Sequence, residues 1–126
     1  MKMRVFIVED YVDIVRPLMD NFRMLGHEVE FILDSRNAVQ NIIHFKPDWL
    51  ILDIRMPYKN GLDVFKELKG KADIRFKVVF YSLYFDDPKI LKGLNDLRIP
   101  DDIRIAKSND YPYDVNNKII PALEAG

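Results

Sequence analysis

Five short runs of β-branched and aromatic residues alternate along this 126-residue chain with segments whose apolar residues recur at helical spacing. This alternation is typical of repeated strand–helix units, in which parallel strands form one sheet and helices cover both of its faces. The pattern predicts strands at Arg4–Val8, Glu28–Leu33, Trp49–Asp53, Phe76–Ser82 and Asp102–Ala106. We therefore expect an α/β fold with a doubly wound, five-stranded parallel sheet in the order 2-1-3-4-5.

Helices are predicted between these strands, at Val12–Leu25, Arg36–Phe45, Leu62–Leu68 and Pro88–Leu97. Ser35 can cap the second helix, and Pro17 is tolerable in the first helix if Asp13 caps it. The bounds of a last helix are hard to predict, because Tyr111-Pro-Tyr113 delays its start and Pro121 falls inside it. Residues 1–126 show no linker or repeat, so we expect a single domain.

Composition excludes several classes of protein. Apolar residues make up 48% of the chain and charged residues 31%, which is too apolar for intrinsic disorder. The longest apolar run is far shorter than the roughly 20 residues that a membrane helix needs. With a net charge of −1, no global field favours nucleic acid or an anionic membrane as a partner.

The absence of cysteine excludes a disulfide framework and a thiolate nucleophile, and agrees with a reducing compartment. Met1-Lys-Met-Arg4 enters a strand-like run at once and lacks the cleavage site of a signal peptide, so we expect a cytoplasmic location. His27 and His44 have no carboxylate or second histidine at ligand spacing. They are predicted to be packing or surface residues.

Polar side chains stand where four of the predicted strands end. They are Glu9 and Asp10 after the first strand, Asp53 at the third, Ser82 at the fourth and Lys107 after the fifth. The carboxyl ends of parallel strands meet at one edge of the sheet, where ligands bind in such folds. Three carboxylates in one place repel one another, and a hard divalent cation such as Mg²⁺ would hold them ionised.

A carboxylate beside such a metal can act as a nucleophile toward phosphorus and form an aspartyl phosphate. Ser82 could donate a hydrogen bond to one phosphoryl oxygen, and the ammonium of Lys107 could pair with another. The sequence therefore predicts a site that accepts a phosphoryl group.

The chain resembles the receiver domain of response regulators in two-component signalling. The matching segments are Val5-Phe-Ile-Val-Glu-Asp10, Leu50-Ile-Leu-Asp-Ile-Arg-Met-Pro57 with Asn60-Gly61, Val78-Val-Phe-Tyr-Ser82 and Ile105-Ala-Lys107. The Asp-x-x-Met-Pro-x-x-x-Gly segment is a specific signal, and the acidic pair and the lysine accompany it in the expected order.

The resemblance implies a role for each site residue. Asp53 would be the phosphoacceptor, Asp10 would bind Mg²⁺ directly, Glu9 would act through a metal-bound water, and the main-chain carbonyl of Arg55 would be a further ligand. Ser82 and Lys107 would contact the phosphoryl group. A histidine kinase or phosphotransfer protein would supply that group, and the output would pass by contact with a protein target that the sequence does not identify. Such a domain catalyses only its own phosphorylation and dephosphorylation.

The departures from the family pattern fall on the face that receivers use for output. Receivers usually carry a small residue where Leu83 stands, an aromatic residue at the position of Arg104 and proline at the position of Ser108. Residues 109–114 are predicted to be extra loop. The resemblance therefore leaves open whether this face switches on phosphorylation.

Three other functions compete with this interpretation. A phosphatase with an aspartate nucleophile would want an acid two residues further on, where Arg55 stands. A flavodoxin-like cofactor binder would need hydrogen-bond donors to a phosphate in its first loop. Here that loop is Glu9-Asp10-Tyr11, whose carboxylates would repel a phosphate. The serious alternative is a degenerate receiver that keeps the fold and binds proteins independently of phosphorylation.

Overall fold

The computed structural model describes residues 1–71 and 75–125 and contains one five-stranded parallel sheet in the order β2-β1-β3-β4-β5. The strands are β1 (Arg4–Val8), β2 (Glu28–Ile32), β3 (Trp49–Leu52), β4 (Lys77–Ser82) and β5 (Arg104–Ala106). The predicted fold class and strand order are confirmed. Every residue of β3 is buried, as expected for a central parallel strand that helices cover on both faces.

Helices connect the strands, although their bounds differ from the predicted ones by a few residues. They are α1 (Val12–Met24), α2 (Ala38–Phe45), α3 (Gly61–Lys71), α4 (Pro88–Asp96), α5 (Tyr111–Asp114) and α6 (Ile120–Ala125), with a π-helical turn at Val115–Ile119 joining the last two. Short 3₁₀ turns lie at Ser35–Asn37 and Asp101–Ile103. In the described ranges, no helix has the length and apolar character that crossing a membrane requires.

The sheet separates two apolar clusters. Leu50, Leu52 and Phe80 face the cluster beneath α2, α3 and α4. Ile51, Val79 and Tyr81 face the other cluster, beneath α1 and the segment from α5 to α6. Successive side chains of a strand point to opposite faces, so a strand that is apolar throughout supplies both cores at once.

Two predicted caps are wrong. Helix α1 begins after Tyr11 without a side-chain cap, so Asp13 lies in its first turn and Pro17 lies inside the helix. Asp34, not Ser35, caps the 3₁₀ turn that leads into α2: its carboxylate accepts a hydrogen bond from the Arg36 N–H at 2.9 Å. The extended backbone of Asp34 is the conformation that an N-cap requires.

The end of the chain differs most from expectation. The 3₁₀ turn at Asp101–Ile103 shortens the predicted fifth strand, so β5 begins at Arg104. The predicted extra loop over residues 109–114 is wrong from Tyr111 onward, because Asp110 accepts from the Tyr113 N–H at 3.0 Å and caps a helix there. Pro112 is tolerated because N–H groups of a first helical turn have no intrahelical partner. Pro121 lies in the first turn of α6, just after the wide π-helical turn.

Candidate functional site

Three carboxylates meet at the carboxyl ends of β1 and β3. Ligand oxygens of Glu9, Asp10 and Asp53 lie within 4.8 Å of one another. The two strands are neighbours, with Val8 opposite Leu52, so the residues that follow them emerge side by side. Glu9 is 2% exposed and Asp53 is 4% exposed, whereas Asp10 is partly open to solvent.

Lys107 places its ammonium between two of these carboxylates. Its Nζ atom lies 2.8 Å from Oε2 of Glu9 and 3.4 Å from Oδ2 of Asp53. The Lys107 side chain is 5% exposed. Lys107 and Glu9 are 98 residues apart in the sequence, and the fold brings them together. The Lys107 N–H donates to the carbonyl of Ser82 at 3.0 Å, which attaches the start of the following loop to β4.

The electrostatics of this cluster favour a bound cation. Burial and, next, the negative charge of Asp53 raise the pKa of Glu9 to about 8, against the influence of Lys107. Burial and the same aspartate also raise the pKa of Asp10. Within the described part of the chain, the buried Oδ1 atom of Asp10 has no hydrogen-bond partner. Excess negative charge and an unsatisfied carboxylate oxygen fit a hard cation with oxygen ligands.

The remaining predicted hydroxyl, that of Ser82, lies at the end of β4 and has no exposed surface. Its Oγ atom accepts from the Tyr84 N–H at the long distance of 3.4 Å. The hydroxyl therefore has donor capacity left for a ligand.

A cleft of about 320 Å³ lies above Asp53. Asp10, Asp53 and Lys107 line it together with Arg55, Leu83 and Tyr84. The guanidinium of Arg55 lies 2.7 Å from Oδ2 of Asp87 and 4.3 Å above the ring of Tyr84. Arg55 thus connects the loop after β3 to the loop after β4, across the cleft.

Asp87 was missed by the sequence reasoning. Its carboxylate accepts from the N–H groups of Lys89 and Ile90 and so caps α4. These hydrogen bonds, together with the charge of Arg55, keep its pKa below the ordinary value although desolvation opposes them. An aspartate directly before Pro88 is a helix-start signal that could have identified it.

Gly61 determines the shape of the loop that follows Asp53. Its N–H donates to the carbonyl of Ile54 at 2.7 Å. A Cβ atom at this position would lie 1.9 Å from the main-chain oxygen of Asp53. The Ile54 N–H in turn donates to Oδ1 of Asp53 at 2.8 Å, so the close approach at Gly61 and the orientation of the carboxylate belong to one compact turn.

Two of the three unusual residues on the predicted output face form hydrogen bonds with neighbouring elements. Arg104 donates to the carbonyl of Ile99 at 2.6 Å and to Oδ1 of Asn95 at 3.0 Å, which links β5 to the end of α4. Ser108 donates through both its N–H and its hydroxyl to Asp114, at 2.9 and 2.7 Å. Leu83 is 59% exposed. No sequence signal pointed to the pairing with Asp114.

Comparison with known proteins identifies the class. The profile of the response regulator receiver domain matches residues 5–101. The chain belongs to this family. The matched segment contains Glu9, Asp10, Asp53 and Ser82 and ends before Lys107, which the fold brings to the same site.

The curated relatives are longer proteins. Nodulation protein W of Bradyrhizobium diazoefficiens is 31% identical over 90 residues, which cover 71% of this chain and 39% of that protein. Response regulator MprA of Mycobacterium tuberculosis is 33% identical over 73 residues, which cover 58% of this chain and 32% of that protein. The chain thus spans less than half the length of these relatives.

Solved structures share the fold at low sequence identity. A CheY-like receiver domain protein from Methanospirillum hungatei superposes with a TM-score of 0.82 at 20% identity, covering 99% of this chain and 96% of the other. The BeF₃-activated receiver domain of DrrB gives a TM-score of 0.76 at 19% identity, covering 98% and 99%. The predicted resemblance to receiver domains is therefore confirmed.

Proposed function

We propose that Asp53 accepts a phosphoryl group from a histidine kinase or phosphotransfer protein in the presence of Mg²⁺, and that the phosphorylated domain signals through contact with a protein target. The observation that carries this proposal is the convergence of Glu9, Asp10 and Asp53 with the ammonium of Lys107. Structural residues do not ordinarily collect three carboxylates in one place when one buried ammonium pairs with only two of them, since like charges repel one another.

The chemistry is a nucleophilic displacement at phosphorus. A carboxylate oxygen of Asp53 forms a bond to phosphorus while the bond from phosphorus to the donor breaks, and the departing group keeps the electron pair. Lys107 is already 3.4 Å from the Asp53 carboxylate, where its charge can neutralise the incoming phosphoryl oxygens. The buried Ser82 hydroxyl supplies a neutral donor on the neighbouring strand end.

The residues present fit a magnesium ion. Asp10 and Asp53 would contribute carboxylate oxygens, Arg55 its main-chain carbonyl, and Glu9 a contact through water. The bound ion would neutralise charge on the transferring group. The Oδ1 atom of Asp10, which has no hydrogen-bond partner among the described residues, supports this assignment independently of the family resemblance.

Magnesium binding is the first test. We expect calorimetry to show one Mg²⁺ bound by the wild-type protein and greatly weakened binding by Asp10→Asn, because the variant loses a charged ligand. Asp63→Asn, an exposed position on α3, is the matched control and should bind normally. Undiminished binding by Asp10→Asn would contradict the assigned site.

Phosphorylation is the second test. Acetyl phosphate and Mg²⁺ should add one phosphoryl group, visible in the intact mass and removed by hydroxylamine, as expected of an acyl phosphate. Asp53→Asn should abolish the addition, and Asp63→Asn should leave it unchanged. If the Asp53 variant were labelled like the wild type, the nucleophile would lie elsewhere.

A degenerate receiver that binds proteins without phosphorylation is the second candidate. It is favoured by the output face, where Arg104 is fixed to Asn95 and to the Ile99 carbonyl instead of a mobile aromatic side chain. Absence of labelling in the wild-type protein with every small phosphodonor would favour this candidate over the first.

A further inference from the structure

We propose that Tyr81, Asp114 and Ser108 form a buried positioning network that holds Lys107 in its place between Glu9 and Asp53. The inference rests on the proposed function, since it concerns how the lysine of that site is oriented. The three residues are positioning residues, because they act on the site only through Lys107.

The centre of the network is the carboxylate of Asp114, which is 0% exposed. Its Oδ2 atom accepts from the hydroxyl of Tyr81 at 2.5 Å and from the N–H of Ser108 at 2.9 Å. Its Oδ1 atom accepts from the Ser108 hydroxyl at 2.7 Å and lies 3.6 Å from Nζ of Lys118. A buried carboxylate is tolerated only when such donors replace water. Here Oδ2 has two hydrogen-bond donors, and Oδ1 has one donor and the nearby ammonium of Lys118.

These donors keep the carboxylate ionised. Burial alone would raise the pKa of Asp114, but the hydrogen bonds from Tyr81 and Ser108 and the charge of Lys118 outweigh burial and lower it. The same burial, together with Asp114, raises the pKa of Tyr81, so the phenol stays a donor. Asp114 is therefore ionised and accepts the hydrogen bond, and Tyr81 is protonated and donates it.

Lys107 is held by the network from two directions. Its neighbour in the chain, Ser108, is bound to Asp114 through both main chain and side chain. The ring of Tyr81 lies beneath its ammonium, with Nζ 5.7 Å from the ring centre. The phenol that contacts Asp114 thus belongs to the same side chain whose ring borders the ammonium.

The sequence at position 108 is suited to this arrangement. A proline there would have no N–H, and the 2.9 Å bond to Asp114 could not form. Lysine has four rotatable bonds and needs an external restraint to hold one geometry. The Ser82 carbonyl fixes only the main chain of Lys107, at 3.0 Å, and Glu9 and Asp53 pair with the tip of its side chain. The network adds a restraint on the next residue and a ring beneath the ammonium.

The experiment compares Tyr81→Phe and Asp114→Asn with two controls. Tyr81→Phe keeps the ring beneath the ammonium and removes the hydroxyl, whereas Asp114→Asn places an amide N–H₂ where only donors surround it. Lys66→Gln removes an exposed lysine of α3 that lies outside the network. Ile119→Val trims the buried core of the same segment and controls for loss of stability alone.

Three readouts separate positioning from stability. They are the rate of phosphorylation by acetyl phosphate with Mg²⁺, the ¹⁵N–¹H signal of the Lys107 ammonium in the unphosphorylated protein, and the thermal unfolding midpoint. The ammonium signal is assigned with Lys107→Gln. Since a displacement of 1 Å can slow a reaction by roughly a hundredfold, we expect both test variants to slow phosphorylation by about tenfold.

In the same variants the ammonium signal should shift or broaden through faster exchange with water, while both controls keep the wild-type rate and signal. If Tyr81→Phe and Asp114→Asn kept the wild-type signal, or slowed the reaction no more than Ile119→Val at equal loss of stability, the network would not position Lys107. If the wild-type protein accepted no phosphoryl group, the proposed function would fail, and the ammonium signal alone would decide the positioning.

Discussion

Glu9, Asp53 and Lys107 place two carboxylates and one ammonium where almost no side-chain surface is exposed. The attraction within a buried ion pair is offset by the cost of removing both charges from water. A second carboxylate beside the pair adds repulsion and has no cation of its own. Such arrangements of buried charge are found mainly at functional sites. At the residue scale, the uncompensated charge and the Asp10 oxygen, which has no hydrogen-bond partner among the described residues, support our proposal that this end of the sheet binds a ligand.

The lifetime of the phosphorylated state is a prediction that belongs to Arg55 and Leu83. Both side chains line the cleft above Asp53, through which we expect water to approach phosphorus. Leu83 can exclude water, and Arg55 is held across the opening by Asp87 and Tyr84. We expect Arg55→Asn and Leu83→Ala each to accelerate loss of the phosphoryl group several-fold.

Decay of the phosphorylated protein at fixed Mg²⁺ measures this effect. Arg36→Asn is the matched control. Like Arg55, Arg36 is paired with an aspartate and stacked on a tyrosine, but its partners are Asp34 and Tyr58. Slower decay in Arg55→Asn would mean that the guanidinium stabilises developing charge during hydrolysis, as cations do in other phosphoryl transfers, and the shielding argument would be wrong.

At the scale of elements, the approach of α3 to the end of β3 depends on Gly61. A Cβ atom there would lie 1.9 Å from the Asp53 oxygen, a main-chain atom that cannot move without displacing the carboxylate. Gly61→Ala should therefore lower the free energy of unfolding by about 3 kcal/mol, the upper end for overpacked sites. It should also reduce phosphorylation. The measurements are urea unfolding and acetyl phosphate labelling.

Gly70 provides the matched control in the same helix. Among the described residues, no atom outside its own helix lies within 4 Å of a Cβ atom built there. Gly70→Ala should raise the free energy of unfolding by about 0.5–1 kcal/mol, because alanine loses less backbone entropy in a helix. Equal effects at the two positions would show that the close contact at Gly61 does not limit the fold.

Strands were predicted more accurately than helix ends, for a physical reason. β1 and β3 are apolar on both faces, a pattern that follows directly from burial in the middle of a parallel sheet. Helix ends depend on which of several adjacent polar residues supplies the cap, and Asp34 or Ser35 could each do so. The last helix was expected, but its start at Tyr111 was not, because the proline at 112 resembles a stop signal when its tertiary setting is unknown.

At the scale of the whole molecule, Glu9, Asp10, Asp53 and Lys107 came together because each follows a strand of the predicted order. Contacts between connections could not be predicted in the same way. Tyr81 and Asp114 are 33 residues apart, and Arg55 and Asp87 are 32 apart. Their pairing depends on how loops and helices pack at the sheet edge, which residue periodicity does not encode.

The last prediction concerns His27, which lies just before β2, at the end of the sheet opposite the carboxylate cluster. Its Nδ1 atom accepts from the Met3 N–H at 3.0 Å, and its ring lies 5.2 Å from that of Trp49 and 6.2 Å from that of Phe22. His27 is therefore a packing residue, which is one of the two roles predicted for it. The histidine joins the residues before β1, helix α1 and strand β3, so its charge affects the stability of the entire chain.

Burial, and next the positive amino terminus, lower the pKa of His27, while Glu124 acts weakly in the other direction. Below its ordinary pKa of 6.5 the unfolded chain therefore binds a proton more readily than the folded chain does. Stability should rise with pH across this window and should be lost as the pH falls through it. Protonation would also place an N–H opposite the Met3 N–H and break that hydrogen bond.

His27→Asn isolates this contribution, because its amide oxygen can still accept from Met3 but does not titrate. We expect the free energy of unfolding of the wild type, measured with urea between pH 7.5 and 5, to decrease more steeply with falling pH than that of the variant. His44→Asn, at an exposed position on α2, is the control for the loss of a histidine. Parallel curves for wild type and His27→Asn would show that His27 stays equally protonated in the folded and unfolded chain, and that the aromatic packing around it does not oppose its charge.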